Sequence, residues 1–191
     1  MAIEQIAYTT TLQDGCFEIR DYPERITAQI TLNGDRKTTT RLGFNFLAAY
    51  IHGQNSLSQR VAMTAPVTQL AFGETITKKI NAPTTQNRNT EAWTIQFAMP
   101  RKYTLETLPT PNSSRVHLVK LPRSRFASIR FSGLAHEQDI LLNTELLKKF
   151  NIKHHIHSIG PASLAHYASP WTPWFMRRNE VLMPIGNQSA R

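Results

Sequence analysis

The sequence predicts an α+β domain: an antiparallel sheet with two helices, one in each of two pseudo-symmetric halves, whose adjacent hairpins can curl the sheet towards a barrel. Three observations carry this. The chain matches itself at a constant offset of 99: Pro23 falls on Pro122, Ala28 on Ala127, Ile30 on Ile129, Gly34 on Gly133, Leu42 on Leu141 and Leu47 on Leu146. Turn residues fall on turn residues, which points to a duplicated supersecondary unit, about 17–72 and 116–171, inside one domain of 1–191. Period-two alternation then marks strands in both halves, and one helical stretch follows a glycine in each.

The elements follow in order. Ile26, Ala28, Ile30 and Leu32 alternate with Thr27, Gln29 and Thr31, a half-buried strand. Gly34 breaks it, and Asp35 caps a helix that runs to about His52, where Gly53 stops it. Val61, Met63, Ala65 and Val67 alternate next. Trp93, Ile95, Phe97 and Met99 make the clearest strand, after a polar hairpin excursion over 73–92. Pro100, Pro109 and Pro111 link the halves. The second unit repeats the order: strands at about 116–120 and 126–131, a helix over about 136–150, a strand near 162–167, and a last strand from Arg178.

On a helical wheel the first helix carries two apolar stripes: Leu42, Phe46, Ala49 and Tyr50, and nearly opposite, Phe44, Leu47, Ala48 and Ile51. A surface helix needs only one. The second stripe is expected to meet a covering loop, another subunit or an apolar ligand. Arg41 edges it, where an anionic tail on such a ligand would find a cation. Gly43 costs about 1 kcal/mol against Ala in a helix interior and is expected to mark the close approach of another group.

Composition narrows the function classes. The net charge is +9, and the halves differ: nine Lys/Arg face eight Asp/Glu in 1–100, thirteen face five in 101–191. A basic half suits anionic small ligands, acidic partners or nucleic acid, but its cations are scattered and form no nucleic-acid-reading motif. The single cysteine, Cys16, forbids an intrachain disulfide and reads as a small buried hydrophobe. No apolar run approaches the roughly 20 residues that cross a bilayer. No signal peptide is visible, so the expectation is a cytoplasmic protein, or a periplasmic one if a signal has been removed. Nucleophile elbow, zincin helix, phosphate loop and dinucleotide fingerprint are absent. The tract His154–His157 has no Cys or carboxylate spacing to make it a metal site.

Six motifs in order then name a resemblance: "FEIRDYP" (17–23), "GFNFLAAYIHGQN" (43–55), "VAMTAPV" (61–67), "WTIQFAMP" (93–100), "RFSG" (130–133) and "PWTPWFMRRNEV" (170–181). Together they resemble the SOUL haem-binding protein family over about 7–184. The resemblance implies a distorted antiparallel β-barrel flanked by two helices and built from two similar halves, and kinship in fold with gyrase-inhibitor-like small-molecule-binding domains. It implies non-covalent binding of haem or another tetrapyrrole, as carrier or buffer, with no catalytic residue.

The implied site is an apolar groove on the first helix, with Arg41, Phe44, Leu47, Ala48 and Ile51. The loop before the last strand walls it with Trp171, Trp174 and Phe175, followed by Arg177 and Arg178. Adjacent strand residues point to opposite faces, so only one of these two arginines faces the groove. The sequence departs from the family at the iron: a histidine proposed as axial ligand in some members has no counterpart before the first helix. His52 and Met63 are the available substitutes, read first as a solvated helix end and a core residue, so the metal ligand stays open. Trp174 stands where a smaller or cyclic residue is commoner and narrows the groove. The alternative is an enzyme resembling hydrolytic relatives of the gyrase-inhibitor-like fold, with Glu180 and Tyr167 as an acid/base pair. Against it, Glu180 reads first as the partner of a nearby arginine.

Overall fold

The strand that alternates from Ile26 to Leu32 and its counterpart 99 residues on are both nine residues long. In the computed structural model, which describes residues 3–71, 92–167 and 177–186, they are β4 (Arg25–Asn33) and β9 (Ser124–Ser132). Around them stand β1 (Glu4–Gln5), β2 (Thr9–Asp14), β3 (Phe17–Tyr22), α1 (Arg36–Ile51), β5 (Thr64–Ala65), β6 (Val67–Ala71), β7 (Ala92–Ala98), β8 (His117–Leu121), α2 (Glu137–Lys153), β10 (Ser163–His166) and β11 (Arg178–Pro184). The expected hairpin excursion after Phe72 and the stretch with Trp171, Trp174 and Phe175 lie outside the described residues.

Nine strands form one antiparallel sheet in the order β2-β3-β9-β11-β10-β6-β7-β4-β8. From β3 to β8 the order is symmetric about the β10–β6 pair: β9 mirrors β4, β11 mirrors β7, and β3 mirrors β8. The opening strand of each half has crossed over. β3 pairs with β9 and β8 with β4, so each half lends a strand to the other.

That exchange forces the sheet to curl. Only Pro23 and Glu24 separate β3 from β4, a link of three Cα steps that spans at most about 11 Å. Six inter-strand spacings separate the same strands in the sheet order, about 29 Å if flat. Pro122 and Arg123 impose the same constraint between β8 and β9. The sheet closes into a half-barrel, and the heads of β4 and β9 meet: Arg25 Nη1 donates to Ser124 Oγ at 2.9 Å.

Both helices cover one face of this sheet. α1 packs on β4 and β7, and α2 on β9 and β11. Under α1 lie Ala28, Ile30, Leu47, Tyr50, Ile95 and Phe97; under α2 lie Ile19, Ala127, Ile129, Leu147, Phe150 and Val181. The strand register carries the other face inward, with Gln29, Gln96, Thr68, Ala165 and Glu180 in one row across five strands.

Some expectations are corrected. The offset of 99 holds through β4 and β9, but two extra residues precede α2, whose N-cap is His136 against Asp35 in α1. Leu47 is fully buried while Leu146 is 39% exposed, and Leu147 fills the second core. Cys16 is exposed, because it sits at the tight β2–β3 turn beside Gly15, whose φ of 58° suits the bend. Residues 9–14 and 17–22 form strands that no alternation announced. Val61 and Met63 pack on the first core without belonging to a strand.

Candidate functional site

Asp35 starts α1, its side chain accepting from the Thr38 backbone N–H at 2.9 Å, a cap that satisfies an otherwise orphan donor. The buried residues of the helix are Thr39, Gly43, Leu47, Tyr50 and Ile51. They redraw the wheel. The two apolar stripes are the flanks of a single broad face, and Gly43 lies on its midline. A Cβ there would stand 2.8 Å from Ile95 Cδ1, so the glycine lets the helix settle directly on β7.

The predicted groove residues are accordingly split. Leu47 and Ile51 are closed inside the core, with 0% and 1% of their surface exposed. Phe44 is half-buried and meets Phe97 edge-on, ring centroids 5.4 Å apart. Leu47 and Ile51 offer no open wall, because the sheet already occupies that side, whereas Phe44 keeps part of its surface open. Arg41 is exposed and Ala48 is half-buried, both on the flank that carries Phe44, while Leu42, 43% exposed, lies on the opposite flank. The surface left for a ligand on α1 is the outer flank of Arg41, Phe44 and Ala48.

The foot of the 168–176 stretch lies at the N-terminal end of the same helix. His166, at the end of β10, is held by Asn179, with Nδ1 and Oδ1 2.9 Å apart. Burial depresses its pKa; the Asn179 bond opposes this, and the charges of Arg36 and Arg177 add to it. Arg36, the first residue of α1, and Arg177 thus both act on the charge of His166, and the Arg36 guanidinium also stands 4.0 Å from Glu137 at the start of α2. Sequence reasoning missed Arg36 and His166. Their only signal was position, at a helix start and a strand end.

Arg178 takes the other side of the sheet, as alternation from Arg177 requires. Its guanidinium donates to Glu180 at 2.6 Å and stands 4.1 Å over the Tyr167 ring. Glu180 is fully buried and also receives Arg20 through both terminal nitrogens, one of them at 3.0 Å. Arg20, itself buried, reaches Glu18 at 2.7 Å and lies 4.2 Å over the Tyr8 ring. Arg178 is thus committed to the sheet interior and does not face α1.

Burial alone would raise the Glu180 carboxyl, but hydrogen bonds and charge from Arg20 and Arg178 hold it below its ordinary range. Desolvation, then the Glu180 charge, pushes the Tyr167 hydroxyl up. A carboxylate clamped by two guanidiniums is a weak base and does not give up a proton near neutrality, which is poor equipment for the acid/base pair that Glu180 and Tyr167 were expected to offer.

Possible metal ligands are scattered. His52 is the exposed C-cap of α1, the length of the helix away from Arg36, about 24 Å. Met63 packs on the first core. In the His154–His157 tract, the His154 ring lies tilted against Phe150 with centroids 4.4 Å apart. Among the described residues no group of three or more His, Cys, Asp or Glu could hold a metal ion, and no helix is long and apolar enough to cross a membrane.

The family described as SOUL heme-binding protein matches residues 3–184. Among solved structures, an uncharacterized conserved protein from Listeria innocua is similar with a TM-score of 0.64 at 14% identity, over 89% of this chain and 92% of that one. The C-terminal domain of EcmrR gives 0.61 at 10% identity, over 94% and 98%. A hydrolase from Listeria innocua gives 0.59 at 13%, over 92% and 94%. At these identities the likeness is one of fold alone. No curated protein matches the chain closely enough to count as a relative.

Proposed function

The chain belongs to the SOUL heme-binding protein family, and on that premise we propose that it binds haem or another tetrapyrrole non-covalently, as a carrier or buffer. The ring lies along the flank of α1 that carries Ala48 and the open part of Phe44, with its carboxylates toward Arg41, Arg36 and Arg177. The family resemblance assigns a facing wall to Trp171, Trp174 and Phe175, which lie outside the described residues. The observation that supports this reading is that Arg36, at the N-terminal end of α1, and Arg177 both act on His166 by charge. Guanidiniums suit carboxylates because their paired N–H groups match two oxygens at once.

The donor set fits the carboxylates and the ring, and the metal ligand stays open. His52 lies at the opposite end of α1 from the arginines, so a ring that reads Arg36 and Arg177 is not ligated by it. Bound haem would supply a coloured, redox-capable iron; the residues of this chain bind the macrocycle and orient its acidic edge.

A Soret-region titration with haem and with metal-free protoporphyrin tests the reading. Both should bind with similar affinity, and Arg41→Ala should weaken both alike. Binding of haem alone would point to iron ligation and overturn this arrangement. Binding of neither would remove the function.

A further inference from the structure

The interior face of the half-barrel, opposite the helices, encloses a cavity of about 260 Å³. It lies at the end where the Pro23–Glu24 and Pro122–Arg123 links cross. Arg25, Arg123 and Arg125 line it, and among the described residues no Asp or Glu does. Leu70, Val119, Phe126 and Leu182 give it apolar walls, with Thr68 and Ser163 between them. Such a volume sits just below the range of pockets that hold drug-sized molecules, so its occupant is smaller than a tetrapyrrole.

The arginines differ in what they already hold. Arg125 faces Asp21 at 3.3 Å and donates to Thr11 at 3.0 Å. Arg25 has no carboxylate partner among the described residues. It donates to Ser124 Oγ and to the Pro23 carbonyl at 3.5 Å, and its guanidinium lies 5.1 Å from the centroid of Tyr22. Burial disfavours its charge and lowers its pKa, with only the Tyr22 ring opposing. A guanidinium taken partly out of water with no counter-ion leaves a strong donor unspent.

The geometry points to a second ligand site here, for a small amphipathic carboxylate whose apolar body fills the trough and whose carboxylate takes Arg25. This site lies on the face of the sheet opposite α1 and does not depend on tetrapyrrole binding. Alternation separates the two: Thr27, Gln29 and Gln96 face the cavity, while Ala28, Ile30 and Phe97 face the helix.

Isothermal titration with decanoate and its uncharged analogue decanol tests the assignment on the whole chain. One decanoate should bind per chain, roughly tenfold or more tighter than decanol, the worth of a hydrogen bond to a charged group. Arg25→Gln should erase that preference while leaving decanol binding in place. Val119→Trp, on the edge strand β8, should fill the trough and abolish both, and haem binding should persist in both variants. If Arg25→Gln does not fold, the decanoate–decanol difference and Val119→Trp still decide. Equal binding of the two ligands, no decanoate binding, survival of binding in Val119→Trp, or displacement of decanoate by protoporphyrin would each overturn the proposal.

Discussion

Arg25 and Ser124 stand 99 positions apart in the sequence and donate and accept one hydrogen bond of 2.9 Å. Each opens a nine-residue strand, and each follows a two-residue link that starts with proline. The bond joins equivalent positions of the two halves across the mouth of the half-barrel. It is a consequence of the strand exchange, since links this short leave the two strand heads nowhere else to go.

The Glu180 clamp is a stability element on this account. Glu180→Gln leaves Arg20 buried without its main counter-charge, and breaking a buried pair from one side costs roughly 3–5 kcal/mol. Urea unfolding should show that loss. Tetrapyrrole affinity should change little, because the clamp faces away from α1. A Glu180→Gln protein of unchanged stability would show that the pair contributes nothing to the fold.

Gly43 is predicted to be a contact residue. Gly43→Ala gains about 1 kcal/mol of helix propensity but drives a methyl against Ile95, at a cost of about 1–3 kcal/mol for overpacking. The net effect should be destabilising. Adding Ile95→Ala removes the nearest atoms, so the double variant should be more stable than the sum of the single changes. Simple additivity in the thermal or denaturant data would place the constraint elsewhere.

Acid sensitivity should come in two steps. His166 has a folded-state pKa below its ordinary 6.5, so the unfolded chain takes the proton first. Its contribution is complete above about pH 6.5 and is lost as pH falls through the lower folded value. Glu180, also depressed, contributes above its ordinary 4.5 and loses that contribution further into acid. Melting temperature measured against pH should fall in both windows. In His166→Gln the first decline should vanish and the second remain.

Much of the fold was legible in the sequence. Alternation is local, so Ile26–Leu32 and Trp93–Met99 read as strands unaided, and paired glycines and prolines marked the halves. The strand exchange was not legible, because pairing β3 with β9 depends on contacts more than 100 residues apart. The residues 17–22 illustrate the difficulty. Arg20 looks like a surface charge until Glu180, 160 positions on, is placed beside it. The wheel of α1 misled for a steric reason: a glycine carries no hydrophobicity, so the midline of the buried face read as a gap between two stripes. The site was legible as a set of motifs. Which side each residue faces, above all the division between Arg177 and Arg178, required the sheet.

The central claim is that a tetrapyrrole lies along the outer flank of α1. Backbone amide NMR with iron(III) protoporphyrin tests it most directly, because the paramagnetic iron broadens nearby signals. The account predicts broadening over residues 36–48 and at Arg177, with the interior-facing strand positions Thr68, Gln96 and Ser163 unaffected. Broadening centred on those interior positions, or none in α1, would contradict it.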